Sequence, residues 1–226
     1  VIVLAGPRAR DVLGSLTDAS LENAAFPWRS AQEIGIAGVA TLALRINYVG
    51  ELGWELHPAM ADLPSLYAAI WAAGEAHGIA DFGLYALNSL RMEKAYRGWG
   101  AELTNEVTML EADMARFFGS GKEDFVGKTA TETGEAGPLR LVYFEVDAQD
   151  ADVRGGEPIF LNDTCIGVTT SGGYGYTVEK SLGFGYVPPE QSAPGSIIDI
   201  GLLDARCQAT VLAEPIYDPA NERLAS

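Results

Sequence analysis

The last third of the sequence constrains the fold most, because short apolar runs alternate there with turn residues. These runs are residues 139–146, 158–161, 164–170, 182–187, 196–203 and 206–213. Asn162 and Asp163 separate two of them, which indicates a tight hairpin. Glycine-rich residues 172–175 are followed by no helix, so they indicate a flexible connecting loop, not a phosphate cradle. Short strands at this spacing predict a small antiparallel barrel or sandwich.

The first part of the chain contains a second strand pattern. Residues 18–34 are expected to be irregular, and residues 38–48 are rich in Val, Leu, Ile and Thr. Leu42, Leu44, Ile46 and Tyr48 alternate with other residues, which predicts one face of a half-buried strand. After a turn bounded by glycines, residues 54–57 are predicted to return as its partner.

Three helices are predicted after this hairpin, over residues 62–77, 83–96 and 108–118. Gly78 is suited to a left-handed cap at the end of the first helix. The second would bury a stripe formed by Leu84, Leu87 and Leu90. Thr108 and Glu111 have the spacing of a capping box, which would open the third.

The composition then changes. Residues 119–137 contain glycines and charged residues with little apolar content, and Pro138 follows them. This stretch indicates a connector with at most one short helix. The predicted fold class is therefore α+β. Its domains are an α+β portion at residues 1–118, the connector at 119–137, and a small antiparallel β-barrel at 138–226.

The composition argues against several classes of partner and site. The 226 residues include 15 Lys+Arg and 31 Asp+Glu, a net charge of −16, which repels phosphate backbones and disfavours nucleic acid. No apolar run approaches the roughly 18 residues of a membrane span. Two cysteines and two histidines provide neither a disulfide framework nor a metal cluster. These features predict a reducing compartment, the cytoplasm, or the mitochondrial matrix in a eukaryote.

The chain opens on the apolar run VIVLA, without methionine or a basic leader. This run is typical of a strand whose upstream partners lie elsewhere. We therefore expect a fragment of a longer protein.

The predicted hairpin at residues 48–55 is a candidate binding site. A regular turn would bring Tyr48 and Glu55 onto adjacent strands, close to Glu51 and Trp54. A carboxylate beside aromatic walls suits a flat heterocycle with N–H donors, such as a pterin or a purine. A charged hairpin tip with Trp54 in the core would produce the same pattern.

A second candidate site is the end of the helix predicted over residues 83–96. Lys94 and Arg97 are explained by the favourable position of cations at a helix C-terminus. Arg91 lies beside the apolar stripe, and an arginine inside a fold needs an anionic partner. Candidates are a carboxylate of a ligand, Glu93 and Glu102.

Six segments together carry a resemblance to a known family. They are GPRAR at residues 6–10, YVGELGWEL at 48–56, LRMEKAYRGWG at 90–100, DFVGK at 124–128, GVTTSGGYG at 167–175 and LGFGYV at 182–187. In this order they resemble the glycine-cleavage T-protein (aminomethyltransferase) family. The third resembles the form found in dimethylglycine and sarcosine dehydrogenases, in which a T-protein-like domain is joined to a flavin domain.

The resemblance implies a tetrahydrofolate site and assigns residues to it. Glu55 would accept hydrogen bonds from the pterin N–H groups, Tyr48 would line the pterin pocket, and Glu51 is the alternative carboxylate. Arg91 would pair with the glutamate end of the folate. Tyr96 and Trp99 would contribute to the wall of the channel.

The resemblance also implies a reaction. A flavin domain would oxidise an N-methyl group of a methylated amine, and folate would capture the product as 5,10-methylenetetrahydrofolate. The family's catalytic aspartate lies upstream of the matching segments, and no FAD-binding pattern is present. We therefore predict no catalytic residue here, FAD only in a missing upstream domain, and an inactive isolated chain. The alternatives are a stand-alone aminomethyltransferase or demethylase, and a non-catalytic folate-binding or scaffold protein.

Overall fold

The computed structural model describes residues 1–119, 121–133 and 137–226, which form two compact units. One unit comprises Val1–Leu90 and Asp218–Ser226, the other Arg91–Tyr217, and each is described by itself. The strands are β1 (Ile2–Ala5), β2 (Ala31–Ile36), β3 (Val39–Leu44), β4 (Gly53–Pro58), β5 (Arg140–Val146), β6 (Pro158–Leu161), β7 (Thr164–Gly175), β8 (Lys180–Val187), β9 (Ile197–Leu202) and β10 (Ala205–Val211). The α-helices are α1 (Ala9–Gly14), α2 (Leu63–Gly74), α3 (Leu84–Glu93), α4 (Lys128–Thr133) and α5 (Glu222–Ala225).

The first unit is built on an antiparallel sheet in the order β1-β4-β3-β2. One face of this sheet packs on α1 and α2 and forms the core, whose members include Leu4, Leu13, Phe26, Ile36, Trp54, Leu56, Leu66 and Ile70. Strand β2 contradicts the expectation that residues 18–34 are irregular. Its sequence AQEIGI contains Glu33 and Gly35, which weaken a strand signal, and pairing along all of β3 supplies the stability instead.

The strand predicted over residues 38–48 is shorter and buries the opposite face. It ends at Leu44, and its inward side chains are Thr41 and Ala43, whereas Leu42 is exposed. The next residue in the same phase is Arg45, which is fully buried. The alternation pattern predicts that the larger apolar residues face the core. Here the buried face of the strand carries Thr41, Ala43 and Arg45 instead, so the predicted face was the wrong one.

The first two predicted helices form, with differences in length and in the buried surface. Helix α2 continues into a 3₁₀ turn at Glu75–His77, and Gly78 adopts the predicted left-handed conformation. Helix α3 is shorter than predicted, and Leu84 is 82% exposed, so the predicted apolar stripe is wrong. Burial concentrates at its C-terminal end, where Met92 joins a core cluster with Leu182 and Phe184.

The helix predicted over residues 108–118 does not form, although its capping box does. The Thr108 N–H donates to Glu111 Oε2 at 2.9 Å, and the Glu111 N–H donates to Thr108 Oγ1 at 3.2 Å. Asp113 then adopts φ 53°, and the Met114 N–H bonds to the Met109 carbonyl, as at a helix C-terminus. The start and stop signals therefore overlap, and a single turn remains before the 3₁₀ helix Ala115–Phe117.

The second unit contains a closed antiparallel barrel in the order β10-β5-β8-β7-β6-β9. This confirms the predicted barrel, and a hairpin joins β6 to β7 at Asn162–Asp163 as expected. The glycine-rich residues 172–175 are not a loop, because they belong to β7 and pair with β8. A Cβ atom on Gly172 would lie 2.5 Å from Val153 Cβ, so this strand needs glycine where Val153 packs against it.

The predicted connector, residues 119–137, lies partly outside the described residues, which omit 120 and 134–136. Its described part contains one short helix, α4. The domain division at residues 118 and 138 stays a prediction. Within the described residues, no helix has both the length and the apolar character needed to cross a membrane.

Candidate functional site

Glu55 lies in the middle of β4, on the face of the sheet opposite the core. Its neighbours across the ladder are Val3 on β1 and Leu44 on β3. The adjacent residues Trp54 and Leu56 are fully buried on the other face, as strand alternation requires. Glu55 is therefore held on a sheet surface where its neighbours on the two adjacent strands are apolar.

The Glu55 carboxylate is half-buried, with a side chain that is 29% exposed, and its polar neighbour is His57. The two share one face of β4, and Glu55 Oε2 lies 3.5 Å from His57 Nε2. This contact does not have hydrogen-bond geometry, and His57 Nε2 has no hydrogen-bond partner in the described part of the chain. No donor among those residues hydrogen-bonds the Glu55 carboxylate either, so its oxygens can accept from a ligand.

Tyr48 lies in the loop between β3 and β4, so it is not on a strand adjacent to Glu55 as predicted. The loop is ordered by Asn47, whose Oδ1 accepts hydrogen bonds from the N–H groups of Val49 and Gly50 at 3.0 Å each. Gly50 has φ 80°, a left-handed conformation that favours glycine. The strand ends before Tyr48 because the Asn47 side chain competes for the backbone donors that a ladder would use.

Glu51, the alternative carboxylate, lies in the same loop and is more enclosed than Glu55. Its Oε1 is 3.8 Å from Arg223 Nη1, within ion-pair distance. Glu51 thus has a cationic neighbour inside the first unit, which distinguishes it from Glu55.

Trp54 points into the core, as in the alternative interpretation of the hairpin, so it is not one of the aromatic walls suggested beside Glu55. Its ring meets Phe26 edge to face, with ring centroids 6.2 Å apart. The guanidinium of Arg45 lies 5.8 Å from the centre of the Trp54 ring. Trp54 therefore stabilises the sheet and provides no wall for a ligand beside Glu55.

Arg45 is a residue that the sequence analysis missed. It is 1% exposed, and it donates to the carbonyl oxygens of Phe26 and Ser226 at 2.7 Å each. Burial, followed by the nearby charge of Arg10, lowers the pKa of Arg45. Its alternation in phase with Thr41 and Ala43 was the available signal. Arg45 ties the C-terminal segment to the sheet that carries Glu55.

In the second unit, Arg91 is buried and has the carboxylate of Glu102 as its anionic partner. Arg91 Nη1 lies 3.2 Å from Glu102 Oε2 and donates to the Tyr96 carbonyl at 3.0 Å, and Nη2 donates to Ser171 Oγ at 2.8 Å. Of the two protein carboxylates considered from the sequence, Glu102 is the one that pairs with Arg91. Glu93 instead accepts the Thr177 N–H at 2.6 Å.

Glu102 is fully buried and organises the segment after α3. Besides Arg91, its carboxylate accepts from the Gly98 N–H at 2.6 Å, from Thr170 Oγ1 at 2.6 Å, and from Ser171 Oγ. A buried carboxylate with this many donors is well satisfied. Thr170 and Ser171 belong to the segment 167–175, whose role in this network sequence reasoning did not find.

Tyr96 and Trp99 lie on the segment that this network holds. Tyr96 is half-buried, and its carbonyl is the acceptor for Arg91. Trp99 is 85% exposed, and its backbone forms an isolated parallel bridge with Leu103. Trp99 thus presents its ring to solvent from a fixed backbone.

The helix-dipole role predicted for Lys94 and Arg97 does not explain where these two side chains lie. Lys94 is 2% exposed, and Arg97 pairs with Asp113 on a turn of the same unit. Helix α3 already ends at Glu93, so both residues follow its last turn, and Ala95 between them has a left-handed φ of 51°. Burial lowers the pKa of Arg97, against the opposing effect of Asp113.

Comparison with known proteins assigns both parts of the chain. Residues 1–122 match the model of the GCVT N-terminal domain, and residues 140–218 match the glycine cleavage T-protein C-terminal barrel domain. The chain belongs to the glycine cleavage T-protein family.

Individual relatives fall into two groups. The chain is 42% identical to mouse (Mus musculus) mitochondrial dimethylglycine dehydrogenase and 34% identical to mouse mitochondrial sarcosine dehydrogenase, covering 99% of the chain in each case. It spans only 26% and 25% of these two proteins. It is 32% identical to an aminomethyltransferase of Anoxybacillus flavithermus, covering 96% of the chain and 60% of that protein.

A solved structure agrees with the fold. The glycine cleavage system aminomethyltransferase T from Bartonella henselae superposes with a TM-score of 0.82 at 24% identity. The match covers 95% of the chain and 58% of that protein. At this identity it supports the architecture alone.

Proposed function

We propose that this chain is the tetrahydrofolate-binding, one-carbon-transfer part of a flavin-dependent N-demethylating dehydrogenase of the dimethylglycine or sarcosine type. The higher identity to dimethylglycine dehydrogenase than to the aminomethyltransferase favours this parent, although the chain spans about a quarter of such proteins. FAD and the methylated amine belong to a domain outside these residues. With mitochondrial relatives, the matrix is the proposed location for a eukaryotic source.

The observation that carries the proposal is the half-buried carboxylate of Glu55 without a hydrogen-bond donor in the described residues. A reduced pterin carries an amino group and ring N–H groups along one edge, and a carboxylate can accept two of them in parallel. The apolar neighbours Val3 and Leu44 suit the ring faces. Glu51 has the Arg223 cation nearby, which makes Glu55 the better candidate.

The other predicted folate contacts remain proposals at defined positions. Tyr48 would line the pterin from the loop ordered by Asn47, and Tyr96 and Trp99 would contribute aromatic surface. Arg91 would attract the glutamate end of the folate, although Glu102 already neutralises its charge. Its contribution to affinity is therefore expected to be smaller than that of Glu55.

Tetrahydrofolate supplies the amine nitrogens that accept the one-carbon unit, and the product proposed for the complete protein is 5,10-methylenetetrahydrofolate. The role of this chain in that reaction is to bind and orient the folate. The acid that assists proton transfer is proposed to lie upstream, so the isolated chain is expected to bind folate without turnover.

Calorimetric titration of the chain with 5-formyltetrahydrofolate tests the proposal, with p-aminobenzoylglutamate, which lacks the pterin, as control ligand. Saturable binding of the reduced folate, and much weaker binding of the control, is expected. Equal binding of both would contradict the pterin site, and binding of neither would contradict folate binding by residues 1–226.

The aminomethyltransferases are the second candidate, because the chain matches 60% of their length. The protein purified from its source separates the two candidates. Visible flavin absorbance that co-purifies with this sequence supports the dehydrogenase, and its absence from a full-length protein supports a stand-alone transferase.

A further inference from the structure

A cavity of about 410 Å³ in the second unit gathers four cationic side chains. Lys94, Arg97, Arg116 and Arg140 line it, and we call it the cationic cleft. The carboxylates in its lining are those of Asp113 and Glu214. The whole chain has 31 acidic and 15 basic residues, so this cleft reverses the overall charge balance.

Two of the three guanidinium groups, those of Arg116 and Arg140, have donors to offer to a ligand. Arg116 is exposed, stacks on Phe117 at 4.9 Å, and makes no hydrogen bond or ion pair within the described residues. Arg140 uses Nη1 for the carbonyls of Gly137 and Leu139, at 2.8 and 2.6 Å. Its Nε and Nη2 have no hydrogen-bond partner in the described ranges, and a guanidinium has five N–H donors in total.

The remaining cations are more enclosed and add fixed positive charge. Lys94 is buried, and the side chain of Arg97 is 12% exposed and pairs with Asp113, whose own side chain is 72% exposed. Burial lowers the pKa of Arg97, and the charge of Arg116 lowers it further against the effect of Asp113. Arg97 and Arg116 are therefore close enough to repel each other, and a bound anion would relieve that repulsion.

We propose that the cationic cleft binds a small polyanion with two or more carboxylate or phosphate groups. Planar guanidinium groups bind both kinds of anion through paired N–H···O bonds. The cavity volume lies in the range of small-molecule sites. The four cations attract a polyanion, and the acidic remainder of the chain confines its binding to this cleft. The inference is independent of the folate proposal, since none of these residues was assigned to folate.

Calorimetry at low ionic strength tests the cleft with two probes, inorganic pyrophosphate and propane-1,2,3-tricarboxylate. Arg116→Gln removes an exposed cation that makes no hydrogen bond or ion pair with the described residues, so the fold should be unaffected. Asp113→Asn removes the carboxylate that competes for Arg97, and asparagine tolerates the φ of 53° found there. Arg154→Gln changes the net charge by the same amount as Arg116→Gln, at an exposed position outside the cleft lining.

At least one probe should bind saturably. Arg116→Gln should raise its Kd about tenfold, the effect of losing one charge-assisted contact. Asp113→Asn should lower the Kd, and Arg154→Gln should leave it unchanged. Preference for pyrophosphate would assign the site to phosphates, and preference for the tricarboxylate to polycarboxylates. Absence of saturable binding, equal effects of the Arg116 and Arg154 variants, or no gain from Asp113→Asn would overturn the proposal.

Discussion

The buried ion pair of Arg91 and Glu102 predicts a large loss of stability on Glu102→Gln. The Thr170 and Ser171 hydroxyls can rotate to accept from the new amide, so the amide nitrogen should take the place of Oε1. A neutral amide oxygen then faces Arg91 and the Gly98 N–H, which are donors only. The geometry is preserved, but the buried guanidinium loses the negative charge of Glu102.

The expected cost is about 3 kcal/mol in the free energy of unfolding, at the lower end for breaking a buried ion pair. Urea denaturation followed by circular dichroism measures it. The matched control is Glu145→Gln, because Glu145 Oε2 lies 3.3 Å from Lys180 Nζ, nearly the Arg91–Glu102 distance, with side chains 33% and 50% exposed. This pair is worth at most about 1 kcal/mol.

Equal losses in the two variants would refute the argument that burial, not contact distance, sets the energy. The double variant Arg91→Met with Glu102→Gln provides a second check. It should be more stable than Glu102→Gln alone, because it also removes the buried positive charge that Glu102 had paired. A further loss would show that Arg91 stabilises the fold through its other contacts.

Three further predictions concern stability. Thr108→Ala should cost about 1 kcal/mol in urea unfolding, since the capping-box bonds form even though the helix does not; an unchanged midpoint would show that these bonds add nothing. Gly172→Ala should cost about 1–3 kcal/mol in the free energy of unfolding, because its Cβ would lie 2.5 Å from Val153 Cβ. The control Gly35→Ala, with no atom within 4 Å of the added carbon, should cost less. Similar losses of stability in the two variants would contradict the packing argument. Burial, and after it the charge of Glu102, raises the pKa of Tyr186 from 10.0 to about 12. The fold favours the neutral phenol, so the free energy of unfolding should fall as the pH rises from about 10 towards 12. This fall should be shallower in Tyr186→Phe than in the parent chain.

The barrel could be predicted from the sequence because its strands combine β-branched residues, alternation and turn residues at short spacing. Local sequence signals failed where a helix start and a helix stop overlapped, and where glycines belonged to a strand. Thr108 and Glu111 form their capping box, but the left-handed Asp113 ends the turn at once. Residues 172–175 resembled a loop, because glycines that a strand needs for close packing cannot be told from glycines of a loop.

The candidate site could be predicted only in part, since pattern rules assume that buried positions are apolar. The fully buried Arg45 reversed the predicted face of β3, and the Asn47 loop moved Tyr48 off the strand. Glu55 lies on β4 as predicted. The structure was needed to identify the contacts of Arg91, because Ser171, which contacts both Arg91 and Glu102, lies far from them in the sequence.

The central claim, that Glu55 accepts the N–H groups of a reduced pterin, is tested most directly by comparing two carboxylate variants. Calorimetry with 5-formyltetrahydrofolate would measure the Kd of the parent chain, of Glu55→Gln, and of Glu22→Gln, a control at an exposed position in the same unit. The loss of a charged hydrogen bond, about 1–3 kcal/mol, predicts a Kd raised roughly 5- to 150-fold in Glu55→Gln. Glu22→Gln should bind like the parent chain. An unchanged Kd in Glu55→Gln, or the same change in both variants, would contradict the claim.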